Sequence, residues 1–292
     1  MTRARSRLAP LVLCAALIAL SASASAQSWP QVFDPLVVRT FNLELDPVDW
    51  DVIRFDTTNE IEVPAQFWAD DESPILVSVR RKSSRALPSE ADPIKVGLKI
   101  DINEFVSDQQ WHGLVKLSLE NAGDIHVLHE GMAWQLHQLA AQAGFYGPEA
   151  YPALANWVRL NVNGDYVGAY SNVEQRDTQY LRNRGVRVSG STWLYEIDDI
   201  DSWVLESGDP HSPTFLALCY APFAPAAKGK KAASCPTPED AVLEAELDTL
   251  IELAAMLAQG AVDAFCDNPD ALFSHGKNFF FADFDHSGLK RR

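Results

Sequence analysis

Basic residues are scarce in this chain. Its 292 residues include 24 Lys and Arg against 40 Asp and Glu, which gives a formal net charge of −16. So acidic a surface repels the phosphates of nucleic acids and anionic membranes, and we therefore expect neither as a partner. The same charge argues against binding of ATP unless metal ions and locally clustered basic side chains assist it.

Long apolar segments are missing beyond the N-terminus. Three arginines within the first seven residues precede an apolar run, Leu8–Leu20, that is too short to span a bilayer stably. Ala24-Ser25-Ala26 then supplies the small residues of a cleavage site. This order predicts a secretory signal peptide over residues 1–26. The mature chain would begin at Gln27 and be exported, to the periplasm, the cell surface or the medium.

Cysteine is also rare. The predicted mature chain has Cys219, Cys235 and Cys266, and no spacing of Cys and His resembles a zinc site. Export permits disulfides. Cys219 and Cys235 flank a loop rich in Pro, Ala and Lys, and we expect a disulfide that closes this loop. Cys266 is then left over, either buried or unpaired.

The clearest local pattern lies in residues 156–177, with the sequence NWVRLNVNGDYVGAYSNVEQRD. Two segments of alternating residues flank Asn163-Gly164, a dipeptide that tolerates the positive φ angles of a type I′ turn. The pattern predicts a β-hairpin that continues into a polar Glu174-Gln175 step. Upstream, Asp46-Pro47 predicts the start of a helix, because Asp is a good N-cap and Pro suits the first helical position.

The hairpin, written V-R-L-x-V-N-G-x-Y-x-G-x-Y and followed by V-E-Q-x-D, resembles the central hairpin of the CotH (spore-coat protein H) kinase family. The resemblance extends from about Phe41 to the C-terminus. It implies an α+β, atypical protein-kinase-like fold. That fold would have a mixed or antiparallel N-terminal sheet with packed helices, and a partial C-terminal helical lobe. The domain would occupy residues 27–292 and be incomplete at its C-terminus.

Two lysines on one predicted strand are the candidates for phosphate binding. Lys95 and Lys99 share a face of the strand Ile94–Ile100, and the resemblance favours Lys99. Glu130, on a predicted helix over residues 127–143, would orient Lys99 through an ion pair. The alternative for the lysines is exposure on a half-buried strand. The alternative for Glu130 is a solvated face, since it lies nearly opposite the apolar stripe of its helix.

The resemblance places further nucleotide contacts on two turns. Ser83 and Ser84 would lie beside the phosphates, although Arg81 stands where the family usually has glycine. A side chain there would hold backbone amides away from a phosphate, so a solvated basic turn is the alternative. Glu174 and Gln175 would lie beside the adenine.

The C-terminal segment carries the implied catalytic base and metal ligands. Asp270 is favoured as the base that accepts the proton of a substrate hydroxyl, with Asp263 and Asp267 as rivals and N-capping as the alternative. The candidate ligands for Mg²⁺ or Mn²⁺ are Asn278, Asp283 and Asp285. The last two also fit the start of a calcium loop, or a turn between strands, which is the reading we favour.

The resemblance therefore predicts a secreted protein kinase that transfers the γ-phosphate of ATP to Ser or Thr hydroxyls. Family members continue into a Trp-Asp-x-Asp strand, which would follow Arg292, so we expect this chain to have little or no transfer activity. The alternative is a non-catalytic surface or matrix protein that works by binding a partner.

Overall fold

The computed structural model describes residues 29–82, 95–121, 126–146, 152–185, 193–199, 202–208, 253–266 and 279–283. Six of the sequence-based predictions lie outside these residues. They are the signal peptide, the Ser83-Ser84 turn, the Cys219–Cys235 disulfide, the base Asp270 with its rival Asp267, and the metal ligands Asn278 and Asp285.

Five helices and ten strands have assigned bounds in the described residues. The helices are α1 Trp29–Val32, α2 Pro47–Phe55, α3 His126–Gln142, α4 Thr178–Asn183 and α5 Leu253–Phe265. The first five strands are β1 Arg39–Glu44, β2 Glu62–Ala69, β3 Ile75–Arg81, β4 Leu98–Asp101 and β5 Lys116–Glu120. The others are β6 Ala155–Val162, β7 Asp165–Val173, β8 Trp193–Asp199, β9 Ser202–Gly208 and β10 Phe279–Asp283.

Seven strands form a closed barrel in the order β1-β2-β3-β4-β5-β7-β6. All neighbours pair antiparallel except β1 and β6, whose parallel pairing places Phe41 opposite Leu160 and closes the sheet. Closure leaves no unpaired edge strand in the barrel. Strands β8, β9 and β10 form a three-stranded sheet in the order β10-β8-β9.

The kinase-like α+β fold implied by the resemblance is wrong for this chain. An N-terminal sheet packed with helices would bury its core between the sheet and the helices. Here β1 pairs with both β2 and β6, so the sheet closes on itself and encloses its own core. Asn42 and Asn161, 119 positions apart in the chain, are joined by a side-chain hydrogen bond across this closing seam.

Alternating strand residues fill the inside of the barrel. Phe41, Phe67 and Trp111 pack edge to face, with ring centroids 5.1–5.5 Å apart. Such contacts are favoured by the aromatic quadrupole in addition to the area they bury. Trp50 and Ile53 of α2 join the same core.

The predicted hairpin and the predicted start of α2 are both confirmed. Asn163 and Gly164 form the turn between β6 and β7 with φ angles of 52° and 87°. The side chain of Asn163 also accepts a hydrogen bond from the Leu45 amide at 2.9 Å, which ties the turn to the segment that enters α2. Asp46 caps α2 by accepting from the Val48 amide at 2.8 Å, and Pro47 is the first helical residue.

Helix α3 packs on the barrel through the side that the sequence pattern assigned to solvent. Gly131 lies so close to β6 that a Cβ atom there would be 2.6–2.7 Å from the Trp157 ring. Three of the apolar residues expected to face the core are instead exposed, at 52% for Leu128, 54% for Met132 and 58% for Leu139. Within the described part of the chain, no helix has the length and apolar character needed to cross a membrane.

Candidate functional site

Strand pairing gathers basic side chains on the outer surface of the barrel. Lys99 of β4 lies opposite Ser118 of β5, and Ser118 lies opposite Val173 of β7. The neighbours of Lys99 in β4, Leu98 and Ile100, are buried inside the barrel, so Lys99 is on the outer face. We call this region, with Lys82, Lys99, Lys116 and Arg176, the basic face.

Asp177 connects the basic face to α4. Its Oδ1 atom caps the helix by accepting from the amides of Gln179 and Tyr180, at 2.8 and 3.0 Å. Burial raises the pKa of Asp177, against the lowering effect of these two hydrogen bonds and of the charges of Lys116 and Lys99. The carboxylate is therefore held in a partly desolvated place beside two lysines.

Glu130 is the second carboxylate at the basic face, and α3 supplies it. Burial raises the pKa of Glu130, while the charges of Lys82 and Arg176 and a hydrogen bond with Trp134 oppose that rise. Lys82 also forms an ion pair with Glu120 of β5. The Arg176 guanidinium lies 4.8 Å from the centroid of the Trp134 ring. Glu130 is thus enclosed by cations and an indole.

The electrostatic partners of Glu130 differ from those implied by the resemblance. Its positive neighbours are Lys82 and Arg176, whereas Lys99 acts on Asp177. Glu130 is half-buried, and burial is the largest influence on the pKa of its carboxyl group.

Lys95 lies apart from Lys99. It precedes β4, and its ammonium is 5.3 Å from the centroid of the Tyr170 ring, which is fully buried in the barrel. Its alkyl chain crosses Gly168, where an added Cβ atom would come within 3.3 Å of the Lys95 side chain. Lys95 therefore lies outside β4 and against β7, whereas Lys99 belongs to β4.

Glu174 holds several segments together. Its two carboxylate oxygens accept from Arg184 at 2.8 and 2.6 Å, and one of them also accepts from the Leu154 amide at 3.0 Å. The Glu174 amide donates to the Leu154 carbonyl. Both charged side chains are buried, so these contacts serve the fold. Gln175 lines a small surface cleft, together with Lys116 and Asp177 among others.

Asp263, a rival for the catalytic base, takes part in a polar chain between α3 and α5. His137 Nδ1 lies 2.7 Å from the Tyr146 hydroxyl, and His137 Nε2 lies 3.3 Å from Asp263 Oδ1. Burial raises the pKa of Tyr146, and Asp263 and Cys266 raise it further, so the phenol keeps its proton. Cys266 is a free cysteine, as one of the two alternatives for it predicted.

The implied metal site cannot be assembled from the described residues. Asp283 ends β10, where its backbone pairs with Trp193 of β8. Among the residues with described positions, no group of three or more His, Cys, Asp or Glu side chains could hold a metal ion. Binding of Mg²⁺ or Mn²⁺ therefore stays a prediction that rests on residues outside the described ranges.

Sequence reasoning missed four members of the site: Lys82, Lys116, Arg176 and Asp177. Two signals for them were present. Lys116 begins an alternating Lys-Leu-Ser-Leu-Glu segment, which is typical of a strand with one polar face. Asp177 precedes a short helix, and Asp is a favoured N-cap. What brings them together is the pairing of β5 with both β4 and β7, which no local pattern reports.

Comparison with protein-family models gave no match, and neither did a search of curated proteins. The resemblance to the CotH kinase family therefore stays a prediction that rests on the hairpin motif.

Glu130→Gln is expected to stabilise the protein at neutral pH. Glutamine mimics the protonated carboxyl group, which burial favours. Because the folded-state pKa lies above the ordinary value of 4.5, the wild-type protein binds this proton more tightly when folded. The wild type therefore loses stability as the pH rises from the ordinary pKa through the raised one, and the variant lacks this loss. Thermal unfolding at several pH values measures the difference.

The gain from Glu130→Gln should be largest near neutral pH and vanish at about pH 4 or below, where the wild-type carboxyl group is protonated as well. Glu104→Gln, at an exposed position, is the matched control for the loss of one negative charge. A variant that is less stable than the wild type at neutral pH would show that Lys82 and Arg176 outweigh the burial of Glu130.

Proposed function

We propose that this protein is a binding protein that takes a phosphate-bearing ligand on the basic face. The proposal is supported most by the pairing of two desolvated carboxylates, Glu130 and Asp177, with cations from separate segments of the chain. Ionisable groups with perturbed pKa values cluster at functional sites more often than elsewhere. Here the perturbed groups adjoin one surface.

Binding of an anion at the basic face would be coupled to protonation of carboxylates there. Its four cations stand beside four carboxylates: Asp101, Glu120, Glu130 and Asp177. Burial favours the neutral forms of Glu130 and Asp177, so protonation of these two would leave a local excess of positive charge. A phosphate about 4 Å from one such cation would gain about 4 kcal/mol at the effective dielectric of a protein surface, before desolvation.

A second candidate is ATP-dependent transfer of phosphate to Ser or Thr hydroxyls, as the resemblance implies. The observation in its favour is Lys82 beside Glu130, because phosphotransferases use a helix glutamate to position a phosphate-binding lysine. Asp270 would be the base, and Asn278 would hold Mg²⁺ or Mn²⁺ on the phosphates. In that case the metal would neutralise charge that develops on the transferred group.

Calorimetric titration of the chain from Gln27 with ATP and with pyrophosphate, each with and without Mn²⁺, tests ligand binding. We expect Lys99→Met and Lys116→Met each to weaken binding about tenfold, which corresponds to about 1.4 kcal/mol. Arg159→Met is the matched control, since Arg159 is an exposed cation elsewhere on the barrel. Absence of binding to the wild type, or an equal loss with the control, would contradict the proposal.

Transfer of radiolabelled phosphate from ATP to casein separates the two candidates. Transfer that is lost in both Asp270→Asn and Lys82→Met would favour the enzyme. Binding that depends on Lys99 and Lys116 without any transfer would favour the binding protein.

A further inference from the structure

Helix α2 closes one end of the barrel in a fixed orientation. Trp50 and Ile53 on its inner side are buried in the barrel core. At its C-terminal end, Arg81 of β3 donates hydrogen bonds to the carbonyls of Arg54 and Asp56, each at 3.1 Å. Because both contacts hold the helix in place, the residues on its outer side have a defined arrangement.

The outer side of α2 is apolar as well. Val48, Val52 and Phe55, at the i, i+4 and i+7 positions of one helix face, are 67%, 40% and 57% exposed. Ile61, which follows the helix and is 43% exposed, is tied to its end by a hydrogen bond from its amide to Asp56. A helix that is apolar on both sides is typical of one that is covered on both sides. We call these four residues the α2 stripe.

Negative charge surrounds the α2 stripe. From Glu44 to Glu62, both included, the chain has seven carboxylates and a single basic residue, Arg54. Arg54 forms an ion pair with Asp51. In the adjacent β3, Arg80 Nε lies 3.7 Å from Glu62 Oε1. Even with Arg80 and the buried Arg81 included, these residues carry a formal excess of four negative charges.

We propose that the α2 stripe is the docking site for a basic amphipathic helix of a partner protein. Apolar residues at i, i+3 or i+4, and i+7 of such a helix would cover Val48, Val52 and Phe55. Its Lys and Arg residues would then face exposed carboxylates beside the stripe, such as Asp46 and Glu60. The same charge repels an anionic membrane and a second copy of this acidic chain, so charge complementarity selects a cationic occupant.

Fluorescence anisotropy with a synthetic amphipathic peptide tests the proposal. The probe has Leu on one face and Lys on the other, and is about 18 residues, or about five helical turns, long. We expect the wild-type protein to bind it, and the double variant Val52→Ser/Phe55→Ser to bind it at least about tenfold more weakly. Leu36→Ser is the matched control, because Leu36 is an exposed apolar residue on another segment.

Two further probes separate charge from apolar contact. Binding should weaken with added salt and with Glu60→Lys, since the carboxylates attract the peptide. A peptide with the same Lys residues but Ala in place of Leu should bind poorly. Thermal unfolding confirms that each variant is folded, which is expected because every substituted side chain is exposed.

Any of three results would overturn the proposal. The first is equal binding by the wild type and the double variant, and the second is equal binding of the Ala peptide. The third is a wild-type dimer, seen by sedimentation, that Val52→Ser/Phe55→Ser dissociates, because a second copy would then occupy the stripe. None of the residues substituted in this test belongs to the basic face, so its outcome is independent of the proposed phosphate site.

Discussion

Replacing Arg184 by alanine is expected to destabilise the folded protein by about 3–5 kcal/mol, because the Glu174 carboxylate would stay buried without its counter-charge. The side chain of Arg184 is 6% exposed and that of Glu174 is 1% exposed, and Arg184 Nη2 lies 2.6 Å from Glu174 Oε2. Arg184 also donates to the carbonyls of Tyr180 and Pro152. The variant would therefore loosen α4 and residues 152–154 together. Urea unfolding followed by tryptophan fluorescence measures the loss.

Arg182→Ala is the matched control for this prediction. Arg182 lies in the last turn of α4, two residues before Arg184, and is exposed, so its loss should change stability by no more than about 0.5 kcal/mol. Glu174→Ala should cost about as much as Arg184→Ala, since each variant leaves one buried charge unpaired. If Glu174→Ala instead keeps wild-type stability and binds ATP more weakly, the result would favour a place for Glu174 beside the adenine, as the resemblance implies.

Local features of the fold could be predicted from the sequence because their causes are local. Asn163-Gly164 accepts positive φ angles, and alternating residues on both sides of it define the strands of the hairpin. Asp46 and Pro47 satisfy and preorganise the first turn of α2. In each case, a few consecutive residues contain both the signal and the contacts that the signal predicts.

Barrel closure and the packing of α3 could not be predicted in this way. The parallel pairing of β1 with β6 joins residues more than a hundred positions apart, and the same alternation would suit an open sheet. The pattern of apolar residues predicted the wrong contact face of α3. In the structure, Gly131 allows a close approach to β6, and the Gln135 side chain donates a hydrogen bond to the Ala155 carbonyl. Neither residue raises the apolar character of its helix face.

The candidate site could be predicted only in part, because it too depends on contacts between distant segments of the chain. Lys99 does lie on the outer face of a strand, and Glu130 does lie near a lysine, but that lysine is Lys82. Its place beside Glu130 depends on how β3, β5 and α3 meet. Arg81 shows the difficulty most clearly. Both predictions for the turn at Ser83 and Ser84 place Arg81 at the surface, yet the side chain of Arg81 is fully buried.

Arg81→Met is expected to destabilise the fold by about 3 kcal/mol or more, because it removes charge-assisted hydrogen bonds that a buried guanidinium makes to two backbone carbonyls. Those carbonyls, of Arg54 and Asp56, lie at the C-terminal end of α2, where a cation is favoured by the helix dipole. Methionine keeps most of the side-chain volume, so the loss reports on charge and hydrogen bonds rather than on a cavity. Urea unfolding measures it.

Arg80→Met is the matched control, since Arg80 is the adjacent arginine of β3 and is only half-buried. Its contacts with Glu62 and the Asn59 carbonyl should contribute no more than about 1 kcal/mol. Arg81→Gly distinguishes the structural role from a phosphate turn. If Arg81 anchors α2, this variant loses at least as much stability as Arg81→Met. If the segment instead holds a phosphate, Arg81→Gly keeps wild-type stability and binds ATP more tightly, because backbone amides can then approach the anion.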